Sequence, residues 1–165
     1  MLLSAALPGC GFSPIYARGP GGMAGPAEMG LAAITVGPMP ERLGQELRQA
    51  LQSRLELGAS GVARQFDLMV SLALSGEPIA IQQDSSVTRI RLIASASWTL
   101  NAQDPLRSTL SSGSARTLDG YNIINQQYFA ADQENDAVQH RMMGALADQI
   151  TLQLAGYFKR RAAAA

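Results

Sequence analysis

Arg89 and Arg91 stand two residues apart in an alternating apolar–polar stretch, so both side chains leave the same face of a strand. Two guanidinium groups so placed can clamp a phosphate through charge-assisted, bidentate hydrogen bonds. The same spacing also describes two solvated charges on an open sheet face. Cys10 is the only cysteine and His140 the only histidine. One cysteine makes no internal disulfide, and one Cys and one His 130 residues apart match no metal-ligand pattern. His140, between Gln139 and Arg141, has no nucleophile or carboxylate at local spacing and reads as a surface histidine. Gly19-Pro20-Gly21-Gly22 neither follows a strand nor opens a helix, so it is not a phosphate-binding glycine loop. Asp132, Glu134 and Asp136 read as helix-start charges rather than paired catalytic carboxylates. The chain therefore reads as non-enzymatic, with no metal and no cofactor.

Cys10 carries a different chemistry. Leu7-Pro8-Gly9-Cys10 is an apolar residue followed by small residues and then cysteine, the pattern cut by the lipoprotein signal peptidase. Cutting there makes Cys10 the first mature residue and the site of a covalent lipid. No Lys or Arg precedes Arg18, and the apolar stretch is shorter than the usual signal core of about 7–15 residues. Either the export signal starts upstream, or Cys10 is an ordinary small apolar side chain.

Composition narrows the classes further. The 165 residues suit one domain, and 13 basic against 13 acidic side chains leave no net charge. That balance gives no electrostatic case for nucleic acid or for adsorption to an anionic membrane. Past the N-terminus no apolar run approaches the ~20 residues that span a bilayer.

The elements that would position these residues follow from periodicity. Residues 17–30 are rich in Gly and Pro and read as a flexible linker with an r.m.s. reach from Cys10 of about 25 Å. Leu31–Val36 reads as a strand, closed by Gly37-Pro38. A helix is expected from Pro40, with Glu41 in its first turn, an inner stripe of Leu43, Leu47, Leu51 and Leu55, and a stop at Gly58. Period two then takes over. Phe66, Leu68, Val70, Leu72 and Leu74 mark one strand face, with Gly76-Glu77-Pro78 as an interruption and 79–81 as a short extension. After a polar turn at 82–86, Ile90, Leu92, Ala94, Ala96, Trp98 and Leu100 face one way, opposite Arg89, Arg91, Ser95, Ser97 and Thr99. A turn at 101–105 leads to an edge strand over 106–118. From Asp132 the helical period returns, in a stripe of Val138, Met142, Ala145, Leu146, Ile150, Leu154 and Tyr157 or Phe158, closed by Lys159, Arg160 and Arg161. The expected fold is α+β, in the order β-α-β-β-β-α, with two helices on one face of a roughly four-stranded mixed or antiparallel sheet. Its parts are a short signal over 1–9, a lipidated linker over 10–30, a single domain over 31–161 and a tail over 162–165.

Cys10-Gly11-Phe12-Ser13-Pro14-Ile15-Tyr16 resembles the Cys-Gly-Phe-x-Pro-Leu-Tyr opening of the lipopolysaccharide-assembly lipoproteins of the LptE family, in their alphaproteobacterial form. Leu43–Arg48 resembles the family's first helix, Ser86–Leu92 with Trp98-Thr99-Leu100 its central hairpin, and Tyr128-Phe129-Ala130 the approach to its terminal helix. The resemblance implies an outer-membrane lipoprotein on the periplasmic side, seated as a plug in the β-barrel LptD, the pair inserting lipopolysaccharide into the outer leaflet. It also implies lipopolysaccharide binding partly through basic residues, for which Arg89 and Arg91 are the candidates and Arg107 and Arg116 weaker ones. A barrel lumen is polar, so a neutral domain suits it. The alternatives are an auxiliary periplasmic lipoprotein of another lipid-transport system and a soluble interaction domain.

Overall fold

A computed structural model describes residues 24–56, 61–81, 87–123 and 128–164. Cys10, the expected stop at Gly58 and the turn at 82–86 lie outside them. The elements are α1 (Pro26–Ala32), β1 (Ile34–Val36), α2 (Arg42–Leu55), β2 (Phe66–Ile81), β3 (Val87–Ala102), β4 (Thr109–Asn122) and α3 (Tyr128–Ala163). The strands form one sheet in the order β1-β2-β3-β4, with β1 parallel to β2 and the other pairs antiparallel. The α+β expectation holds, with one helix more than expected.

The alternation of β3 fixes which way the sheet faces. Leu92, Ala94, Ala96, Trp98 and Leu100 are buried, while Arg91 and Ser97 are exposed. Across the pair, Leu68 is buried and Val70, Leu72 and Leu74 half-buried, all on that inner face. The inner face receives Leu47, Leu51 and Leu55 from α2 and Val138, Met142, Leu146, Ile150 and Leu154 from α3, in one continuous core. Each large aliphatic side chain so buried contributes about 1.5–3 kcal/mol. A 36-residue helix is ~54 Å long and a 16-residue strand ~53 Å, so α3 can run the length of β3.

Several boundaries differ from expectation. The Gly/Pro linker does not extend to Gly30, because Pro26 sits in the first turn of α1, where its missing N–H costs nothing. Ala27, Leu31 and Ala32 are buried in the core, so packing makes this helix where local propensity would not. Gly30 lies so close to the Phe158 ring that an added Cβ would overlap it. β1 accordingly begins at Ile34, not Leu31. Glu41 caps α2 rather than entering its first turn, with φ 66°, a left-handed conformation that non-glycine residues seldom adopt. Gly76-Glu77-Pro78 does not break β2; a register shift past Pro78 absorbs the proline. β4 runs from Thr109 to Asn122, so 106–108 belong to the preceding turn. α3 starts at Tyr128, which removes Asp132, Glu134 and Asp136 from its first turn. Ala162 and Ala163 close that helix instead of forming a tail.

Candidate functional site

The outer sheet face carries the arginine pair. Ile90 and Leu92 point to the core on either side of Arg91, so Arg89 and Arg91 project outward together near the start of β3. Arg91 lies opposite Glu77 of β2, and its Nη2 donates to Glu77 Oε2 at 2.6 Å. Arg89 lies between Ala80 and Asn122 and is exposed, with no ion pair or hydrogen bond among the described residues. One of the two charges is therefore compensated and the other open.

The surroundings are amphipathic. Two residues along, Ile93 pairs with Leu118, and Leu118 is 54% exposed on the same face. Gly120 opposite Arg91 and Ser75 opposite Ile93 add no bulk. Arg116 is on this face as well, opposite Ser95 and about 13 Å along the strand from the level of Arg91. Arg107 is not part of the group. It occupies the turn between β3 and β4, with φ 46° and its N–H on the Asp104 carbonyl, about 35 Å along β3 from Arg91. His140 is exposed on α3, with Nδ1 4.0 Å from Glu46 Oε2. Among the described residues no His, Cys, Asp and Glu side chains cluster in a way that holds a metal ion.

Glu77 was not legible as part of this site. Residues 76–78 read as a breaker, and only the β2–β3 register sets the carboxylate against Arg91. The available signal was charge symmetry, since Glu77 and the arginines flank the polar run 82–86 at similar distances.

An exposed, partly neutralised arginine pair beside apolar side chains is suited to hold a phosphorylated amphiphile. The family model for LptE, lipopolysaccharide-assembly, matches residues 31–154, from the end of α1 through most of α3. The chain belongs to the LptE family. No curated protein matches the sequence. Among solved structures, a candidate lipoprotein from Caulobacter crescentus is similar at 22% identity with a TM-score of 0.64, covering 81% of this chain and 96% of that one. Rare lipoprotein B from Shewanella oneidensis is similar at 13% identity and TM-score 0.54, over 74% of this chain and 92% of that one. A lipoprotein B from Nitrosomonas europaea gives 14% identity and TM-score 0.56, over 76% and 82%. At these identities the structures share the LptE fold. The family gives this chain a place in lipopolysaccharide assembly. Among the described residues no helix is long and apolar enough to cross a membrane.

Proposed function

We propose that this protein is the lipid-anchored accessory subunit of the outer-membrane lipopolysaccharide translocon, a non-enzymatic plug in the β-barrel LptD held by a lipid on Cys10. The observation that carries this reading is the family match across α2, the whole sheet and most of α3. The outer sheet face supports it, because Arg89 and Arg91 can meet lipid phosphates while Ile93 and Leu118 meet acyl chains. A barrel lumen is polar, and the exposed surface carries charges of both signs.

Affinity purification of the native lipidated protein tests the assembly. Recovery of a large outer-membrane barrel in equal amount supports the reading, and recovery of an inner-membrane transporter in its place overturns it. Mass spectrometry of the membrane fraction tests the anchor, because an unmodified Cys10 would remove it. Arg89→Ala with Arg91→Ala should weaken lipopolysaccharide binding while leaving the barrel complex intact. Glu77→Gln should strengthen binding by up to about fivefold, the worth of releasing one exposed ion pair. Binding unchanged in the double variant would remove the arginine pair from the site.

A further inference from the structure

The opposite end of the molecule holds a second arginine with nothing to bind. Arg48 and Gln52 are one turn apart on α2, beside the buried stripe of Leu47, Leu51 and Leu55. With Ile34, Thr35, Val36, Glu56 and Arg64 they line a cavity of about 80 Å³. The two arginines in it differ sharply. Arg64 is fully used, its Nη1 donating to the carbonyls of Ala32 at 2.8 Å and Ile34 at 2.7 Å and its Nη2 to Glu56 at 3.1 Å. Arg48 has a buried Nε with no acceptor, and none of its nitrogens has a partner among the described residues. A buried donor left unpaired costs about 1–3 kcal/mol, more on a charged group, so the position calls for an acceptor.

Charge and size define that acceptor. Arg64 and Glu56 cancel, which leaves the single positive charge of Arg48. A monoanion balances it, whereas a phosphate dianion would overshoot and lie beside the Glu56 carboxylate. Side-on approach to Nε and one Nη is a bidentate geometry that suits a planar carboxylate. The Ala33 carbonyl and the Gly37 N–H are spent on β2, so strand alternation turns the N–H of Val36 toward the outer edge of β1, where it can assist. The cavity accepts a functional group and no more, so the rest of its ligand must lie outside, on a larger body. We propose that Arg48, with Gln52 and the outer edge of β1, is a receptor for one carboxylate presented by an acidic side chain of a partner chain.

The probe is a blocked aspartate, N-acetyl-aspartate methylamide, titrated into the ¹⁵N-labelled protein at constant ionic strength, with blocked asparagine, acetate and inorganic phosphate in parallel. Blocked aspartate should shift the Arg48 Nε–H resonance and the Gln52 side-chain amide saturably, with a Kd of about 10–100 mM as for one charge-assisted contact. Arg48→Lys keeps the charge and loses the Nε donor, and should weaken binding at least fivefold. Arg48→Gln should abolish it while the remaining amide spectrum stays dispersed. Equal shifts with blocked asparagine, no loss in Arg48→Lys, or tighter binding of phosphate than of aspartate would each overturn the proposal. Binding of acetate without blocked aspartate would overturn it too, since the cavity would then take only free ions.

Discussion

Gly30 and Gly144 are both helical glycines, and their surroundings give them opposite roles. At Gly30 the space for a Cβ is filled by the Phe158 ring, itself tilted against Phe66 and edge-on to Tyr157 with ring centroids 5.2 Å away in each case. Gly30→Ala should lower stability by about 1–2 kcal/mol, because overpacking of ~1–3 kcal/mol exceeds the helix-propensity gain. At Gly144 the nearest atom to an added Cβ is Arg54 Nη2 at 3.7 Å, an ordinary contact. Gly144→Ala should therefore raise stability by about 0.5–1 kcal/mol. Urea denaturation of the two variants checks both signs. Asp148 supplies a residue-scale pH effect. The hydrogen bond from Arg54 Nε, with that guanidinium's charge, holds its carboxyl below the ordinary aspartate value of 3.8, against a smaller opposing effect of burial. A depressed carboxyl contributes stability above its unfolded value and loses it as pH falls through the folded one. The stability difference between the wild type and Asp148→Asn at pH 7 should shrink below pH 3.8, and denaturation curves at pH 7 and pH 3 measure it. With 68% of the side chain exposed, the difference will be small.

Elements were legible where their apolar period was set by burial on one side. The alternation of β3 and the stripes of α2 and α3 gave their faces correctly, because each packs one side on the core, α3 from Val138 to Phe158. The short α1 was not legible, since it follows a Gly/Pro-rich run, carries Pro26 and Gly30 itself, and owes its helix to packing against α3. Polar residues on α3 have a role that its apolar period does not reveal. Gln149 and Gln153 cover the outer edge of β4. Gln149 donates to the Arg116 carbonyl and accepts from the Arg116 N–H, and Gln153 donates to the Ser114 carbonyl. These bonds satisfy backbone groups that an edge strand would otherwise offer to another chain. Gln153 Oε1 also accepts from the Trp98 indole N–H at 2.9 Å, and Trp98 packs on Gly113 so closely that an added Cβ there would come within 2.7 Å. Gln153→Leu should cost about 1–3 kcal/mol by leaving the indole N–H and the Ser114 carbonyl unpaired. The same variant should shift Trp98 fluorescence in the native state, which Gln149→Leu should not.

At the scale of the molecule, α1, both long helices and the sheet share one core, which predicts a single cooperative unfolding transition. Trp98 is the only tryptophan and is 4% exposed, so its fluorescence reports that core while far-UV circular dichroism reports the helices. The two midpoints in urea should coincide, and separated midpoints would show α1 or α2 leaving first. The arginine pair illustrates why a site is harder to read than a fold. Its shared face followed from a spacing of two, but its compensation by Glu77 and its Ile93–Leu118 neighbours depended on pairing between distant strands. Arg48 was invisible as a site, because an arginine on a helix rim is ordinary until its partners are counted. The early start of α1 has a consequence for how a lipid on Cys10 would hold the domain. Fifteen peptide steps separate Cys10 from Gly25, a leash of at most about 50 Å, where a linker reaching Leu31 would allow about 70 Å. Such a leash would join the domain ahead of α1, at the Phe66–Phe158 end of the molecule beside the Arg48 cavity, and Arg91 and Arg89 lie about 35–45 Å away along β3. A domain held by such a lipid would have two poles, one tied to its own bilayer and one carrying the arginines outward.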